Sequence, residues 1–302
     1  MSTESIVRIS GLCKSFNGII ALNNLDMEVR KGDIYGFLGP NGSGKSTTIK
    51  ILLTLVRQEK GTIKVFGDEL DQNPRKILSR IGAIVEKPDF YEKVTALKNL
   101  QILTVYSGIK KSKEDLLKLL KLVGLEDRAE SKVKTYSSGM KQRLGIAQSI
   151  MHQPELLIFD EPFAGLDPQG VRDMRQLIKT LNRDKGITVI ISSHQLDEIE
   201  SIANRMIIVN RGSAVCEGSV SEIVGKSNLR VRIDVDLPEE AYNKLKNSRL
   251  PLDSVTLEGD VIKVVCANDA IPYINQYLHI SGFLVYGISK EKALENYYLT
   301  YI

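Results

Sequence analysis

Apolar and polar residues alternate at the start of the chain, over Ile6-Val7-Arg8-Ile9 and again from Ile20-Ala21-Leu22 to Leu25-Asp26-Met27-Glu28-Val29. A period of two predicts half-buried strands, and Asn17-Gly18 between them is a tight-turn dipeptide. Further on the pattern changes to an unbroken apolar run at residues 156–159, with a strand-like stretch at 32–38 and a further buried strand at 186–193. A run of that kind predicts a strand buried on both faces of a parallel sheet. Additional strands are expected over residues 61–67 and 81–85, with a hairpin at 207–213. Helices are expected over residues 48–56, 75–80, 144–151, 171–181 and 219–224, and across 95–123, where Leu97, Leu100, Leu103, Leu116, Leu117, Leu120 and Val123 recur at helical spacing. Strands alternating with helices define an α/β chain.

Gly225-Lys226-Ser227-Asn228 has linker composition. Beyond it the pattern predicts strands at 229–237, 254–257, 261–266 and 283–288, with helices at 238–246, 271–279 and 290–298. The expected division is therefore a large domain over residues 1–225 and a small α+β domain over 226–302. The small domain carries no cluster of chemically active residues and reads as accessory, for dimer contacts, regulation or docking.

Composition narrows this little. The chain has 302 residues, 42% hydrophobic and 26% charged, as in ordinary globular proteins. A net charge of +4, dispersed along the chain, gives no footing for a nucleic-acid surface, and no nucleic-acid partner is expected. Cys13, Cys216 and Cys266 are scattered without C-x-x-C spacing, which argues for buried thiols rather than a disulfide frame or zinc site. The N-terminus has no signal-peptide pattern, and no apolar run nears the roughly 18–20 residues of a membrane span. A membrane role would have to act through a partner.

The strongest chemistry lies at Gly39-Pro40-Asn41-Gly42-Ser43-Gly44-Lys45-Ser46-Thr47. It fits G-x-x-x-x-G-K-[ST] between a predicted strand and a predicted helix, the setting in which backbone N–H groups and a helix dipole cradle phosphate. Lys45 is then expected to reach the β- and γ-phosphates, and the Ser46 hydroxyl to ligate Mg²⁺. Asp160-Glu161 ends the apolar run 156–159, where α/β proteins place ligands. Asp160 can hold Mg²⁺ through water, and Glu161 is placed to orient an attacking water. His194 follows another buried strand at the same level. Phe16, beside Asn17-Gly18, is either a core aromatic or a platform for adenine, and the pattern alone favours core.

Taken together, these motifs resemble the nucleotide-binding subunit of ATP-binding-cassette (ABC) transporters over about the first three quarters of the chain. Tyr136-Ser137-Ser138-Gly139-Met140 is similar to the family's signature loop, and Gly165-Leu166-Asp167 to its D-loop; phosphate loop, signature, acidic pair, D-loop and switch histidine stand in family order. The resemblance implies a RecA-like parallel-sheet core of the P-loop NTPase class, with an antiparallel β subdomain and a helical subdomain. It also implies a head-to-tail dimer, taken as a homodimer, with two ATP molecules sandwiched between phosphate loop and signature loop. By the same resemblance Phe16 stacks on adenine and residues 39–47 hold phosphates, while Ser137, Ser138, Gly139 and Asp167 reach the partner's nucleotide. Ser46 and Asp160 hold Mg²⁺, Glu161 is the general base, and His194 contacts the γ-phosphate.

Glu86 stands where the family usually has Gln. It either replaces that residue as a metal- and water-facing catalytic group or slows the reaction. Val85-Glu86-Lys87-Pro88-Asp89-Phe90-Tyr91 with Thr95-Ala96 resembles the bacitracin- and lantibiotic-exporting branch, which carries Glu there. The implied function is ATP hydrolysis that energises export of an antibiotic peptide, drug or lipid through a separate membrane permease, on the cytoplasmic face of the membrane. The implied docking surface is residues 86–93 with the helices of 95–123. The alternative is an ATP-gated regulatory switch, on a membrane partner or a soluble complex, without transport.

Overall fold

The N-terminal alternation closes into a hairpin. β1 (Ser5–Phe16) and β2 (Ile19–Arg30) pair antiparallel. Asn17 and Gly18 between them take left-handed φ angles of 48° and 83°, as a two-residue hairpin turn requires. β3 (Ile34–Leu38) is buried throughout and delivers the chain to the phosphate loop. α1 (Lys45–Leu52) begins inside that loop, ahead of the apolar residues that announced it at Thr48. Gly44 makes this start at φ 105°, a conformation that excludes most side chains. The computed structural model describes residues 4–226 and 229–291.

β4 (Lys60–Val65) and the short β5 (Asp68–Glu69) follow, then α2 (Pro74–Leu78) and β6 (Ile81–Ile84). The helical stretch 95–123 is two helices, α3 (Ala96–Ser107) and α4 (Lys113–Leu122), because Gly108 caps the first in the left-handed region. Ser112 and Asp115 start the second with a capping box. α5 (Ser138–Ser149) starts within the signature-like loop, earlier than expected, and β7 (Leu156–Asp160) follows. α6 (Pro168–Lys185), β8 (Thr188–Ser193), a five-residue α7 (Leu196–Glu200), β9 (Arg205–Asn210) and β10 (Ser213–Ser219) complete the sequence.

The chain divides into two compact units, Met1–Val220 and Ser221–Ile302. In the first, a six-stranded sheet has the order β10-β9-β3-β8-β7-β6, parallel except for β10. A four-stranded antiparallel sheet, β2-β1-β4-β5, lies alongside, and one apolar core joins Val7, Leu12 and Val65 to Tyr35, Phe37, Ile158 and Ile190. Parallel register brings the ends of β3, β7 and β8 level: Leu38 pairs with Ser193 and Asp160 with Ser192. The loops that follow those ends carry every strong motif except the signature. α7 packs so tightly on β3 that a Cβ on Gly36 would lie 2.1 Å from Ile199.

α8 (Val220–Lys226) spans the division, which falls after Val220 where the sequence pattern placed it after Gly225. Gly225 and Lys226 end this helix, and Ser227 and Asn228 of the expected linker lie outside the described residues. The second unit runs β11 (Leu229–Val235), α9 (Pro238–Lys246), β12 (Leu252–Glu258), β13 (Val261–Cys266), α10 (Ile271–Ile280) and β14 (Val285–Glu291). Its antiparallel order β12-β13-β11-β14 is that of a ferredoxin-like βαββαβ unit. Val231, Ile233, Ile262, Val264, Ile274 and Leu278 form a separate core. The helix expected at 290–298 gives way at its start, since Lys290 and Glu291 belong to β14; residues 292–298 lie outside the described residues.

Candidate active site

The phosphate loop is closely packed at its entrance and open at its tip. A Cβ on Gly39 would fall 2.3 Å from the Val209 carbonyl oxygen and 2.5 Å from Ser43 Oγ, so only glycine fits there. Asn41, Gly42 and Ser46 are exposed, Thr47 is half-buried, and the Gly39 N–H donates to the Ser193 carbonyl at 3.3 Å. Ser43 Oγ is buried, with no hydrogen-bond partner among the described residues. A buried orphan hydroxyl inside a loop of this type fits a phosphate oxygen.

Lys45 is buried, and its ammonium donates to the carbonyls of Gly39 (2.7 Å) and Pro40 (3.1 Å). It lies 3.6 Å from Glu161 Oε1. Burial pulls its pKa below the usual lysine value, and the carboxylates of Glu161 and Asp160 offset part of that pull. The lysine is held in a nest of acceptors that a bound phosphate would replace.

Asp160 is the buried last residue of β7. Ser192, opposite it on β8, donates its hydroxyl to Asp160 Oδ1 and accepts the Glu161 N–H at 2.9 Å. Glu161 turns into the left-handed region at φ 50°, and its Oε2 pairs with His194 Nδ1 at 2.9 Å. The Glu161 carboxylate thus stands between Lys45 and His194. The donor types fit Mg²⁺: a buried carboxylate whose one described hydrogen bond is on Oδ1, and, on the phosphate loop, an exposed serine, Ser46.

Phe16 ends β1 as a residue 44% exposed, with Lys14 Nζ 5.0 Å from its ring centroid. It is therefore not a core residue, whichever ligand its face takes. Glu86, with φ 62°, is exposed and salt-bridged to Lys50 at 2.9 Å. Among the described contacts none joins it to Asp160 or Glu161.

The signature-like residues and the D-loop meet at a second place. Ser137 caps α5 by accepting the Met140 N–H, and Asp167 caps α6 by accepting the Gly170 N–H at 2.8 Å. With Ser138, Gly139, Gly165 and Leu166 they line a cleft of about 340 Å³ to which the phosphate loop contributes no residue.

Three residues near the acidic pair had no role in the sequence reading. Ser192 and Ser193 are hydroxyls that end a strand with an apolar centre, Val189-Ile190-Ile191, and that change of polarity is visible in the sequence. Glu198 on α7 is buried and accepts a hydrogen bond from Ser193, and burial raises its pKa. Its setting, Asp197-Glu198-Ile199-Glu200, looks like a solvated acidic turn.

A parallel sheet with this phosphate loop, acidic pair and histidine at its strand ends defines a P-loop ATPase cassette. The family model described as ABC transporter matches residues 22–164. The chain is 36% identical over 299 residues to the bacitracin transport ATP-binding protein BcrA of Enterococcus faecalis, covering 99% of this chain and 96% of that protein. It is 40% identical over 224 residues to the lantibiotic transport ATP-binding protein SrtF of Streptococcus pyogenes, covering 74% of this chain and 94% of that one. Among solved structures it resembles the dimeric, post-hydrolysis form of the cassette MJ0796 bound to ADP and phosphate. That likeness has a TM-score of 0.63 at 25% identity and covers 71% of this chain and 98% of that one.

The chain belongs to the ATP-binding subunits of ABC transporters. It binds and hydrolyses ATP, and subunits of this family dimerise and work with a separate transmembrane permease. No described helix is long and apolar enough to cross a membrane.

Proposed function

We propose that this subunit powers export of an antibiotic peptide, drug or lipid by closing and reopening a head-to-tail homodimer around two ATP molecules at the cytoplasmic face of the membrane. The observation that carries the hydrolytic part is the Lys45–Glu161–His194 cluster above the phosphate loop. The relatives named for bacitracin and lantibiotic transport support the cargo class, and the match to BcrA extends through the second unit.

In this reading residues 39–47 wrap the phosphates, and Lys45 exchanges its two backbone carbonyls for β- and γ-phosphate oxygens. Asp160 and Ser46 would hold Mg²⁺, which would neutralise charge building on the phosphates. Glu161 orients the attacking water and takes its proton, while His194 turns from Glu161 toward the γ-phosphate. Phe16 stacks on adenine. Ser137, Ser138, Gly139 and Asp167 meet the nucleotide of the partner subunit, whose phosphate completes the helix-end site at α5. Glu86 would either replace the family's Gln as a metal- and water-facing group or slow the reaction, and residues 86–93 with α3 and α4 dock the permease. Once the γ-phosphate is cut the clamp loses its bridge and reopens.

The test is ATP turnover by the purified chain beside Glu161→Gln, with dimerisation followed by size in ATP and Mg²⁺. Turnover is expected to fall at least about 10²-fold, as when a transition-state group is removed, while an ATP-stabilised dimer accumulates. Retained turnover would remove Glu161 from the reaction.

A further inference from the structure

We infer that Ser192 is the positioning residue for Glu161: its hydroxyl fixes the backbone of residue 161 in the one conformation that aims the carboxylate between Lys45 and His194. This rests on the reading of Glu161 as the hydrolytic carboxylate.

The geometry assigns each bond a direction. A hydroxyl has one proton and two lone pairs. Ser192 gives its proton to Asp160 Oδ1, an acceptor only, and so offers a lone pair to the Glu161 N–H at 2.9 Å. One oxygen atom thereby ties together the two acids, which are consecutive in sequence but have separate tasks. The β7–β8 register places it there, because Asp160 and Ser192 are parallel partners.

Residue 161 needs such a tie. Its φ of 50° lies in the left-handed region, which a long side chain such as Glu visits rarely. Released to the ordinary β or helical region, the Cα–Cβ bond would point elsewhere, and the carboxylate would leave His194 Nδ1 (2.9 Å) and Lys45 Nζ (3.6 Å). The strand itself gives no reason for a hydroxyl here. Ser192 is fully buried and follows Val189, Ile190 and Ile191, so an aliphatic residue would continue the run at less desolvation cost. It would also leave Asp160 Oδ1 and the Glu161 N–H without this partner.

The experiment measures steady-state ATP turnover of the full chain for Ser192→Ala, Ser192→Thr, Glu161→Gln and the Glu161→Gln/Ser192→Ala double variant, each across ATP and Mg²⁺ concentrations. Ser192→Ala is expected to lower kcat by about 10- to 100-fold, the range that small misplacement of a reacting group costs. KM for ATP and the half-saturating Mg²⁺ are expected to stay within about twofold, since the phosphate loop is untouched. Ser192→Thr, which keeps the hydroxyl, recovers most of the lost kcat. The double variant is no slower than Glu161→Gln alone, because residues acting as one unit are non-additive.

Unchanged kcat in Ser192→Ala overturns the proposal. So does recovery by excess Mg²⁺, which would confine the serine to the metal side through Asp160, and so does an equal loss on the Glu161→Gln background. If Glu161→Gln itself keeps its turnover, the reading of Glu161 fails first, and that result is distinct from all of these.

Discussion

The phosphate-loop cluster and the signature cleft belong to one unit and are built on contrasting plans. In the first, charged and polar groups answer one another within the chain: Lys45 to Glu161, Glu161 to His194, Ser192 to both acids. In the second, Ser137 and Asp167 cap their own helices, and Gly139 faces a cleft with nothing nearer to its missing Cβ than Leu166 at 3.6 Å. The first site is braced before nucleotide arrives. The second offers donors and space, as the proposed role of meeting the partner subunit's nucleotide requires.

Lys45→Ala should break the comparison on its braced side and have the largest effect. Turnover should fall about 10²- to 10³-fold, the cost of removing one preorganised charge stabiliser. The melting temperature of the nucleotide-free chain should not fall with it. Burial already disfavours the Lys45 ammonium, only partly offset by Glu161 and Asp160, as expected if, in the proposed reading, this cation serves the reaction rather than stability. A thermal melt beside the turnover assay checks both halves, and a large drop in melting would make the cluster structural instead.

Gly139→Ala probes the open side. A Cβ there meets only an ordinary contact within this chain, and alanine is favoured over glycine in a helix by about 0.5–1 kcal/mol. Melting should hold or rise, while turnover falls by roughly tenfold, near 1.4 kcal/mol, because the added methyl stands where the partner's nucleotide is expected. Unchanged turnover would show that the cleft is not used. The contrast is Gly39, where the same methyl would strike the Val209 carbonyl and the chain itself would resist.

Most of the framework was legible because its signals are local. Apolar or strand-like stretches marked β3, β7 and β8, and the spacing of Gly39, Gly44 and Lys45 marked the loop. The helices start at Lys45 and Ser138, ahead of the apolar pattern, because α1 opens on Lys-Ser-Thr-Thr and α5 on Ser-Gly, before any apolar face appears. The Ser192 clamp was not legible, since it joins residues 32 positions apart through strand register. Glu198 is a related case: it is buried in the fold beside Ser193 of β8, which its local sequence does not announce. The position of Phe16 was misweighted, because alternation says which residues share a face but not which face is covered.

Glu86→Gln should have the smallest effect and sharpens the comparison most finely, since Glu86 follows β6, the sheet neighbour of β7, without belonging to the braced network. Its carboxylate is spent on Lys50 in a surface pair, an interaction contributing less than about 1 kcal/mol. Glutamine inherits the same left-handed backbone at φ 62°, so the substitution adds no new strain. Turnover and melting are both expected to stay close to those of the native chain, within about twofold and a degree or two. A loss of roughly tenfold in turnover at unchanged melting would require that Glu86 leave Lys50 once nucleotide and Mg²⁺ are bound. The braced cluster would then have a member that joins only with the substrate, and Lys50→Ala, which frees the carboxylate in advance, should raise turnover rather than lower it.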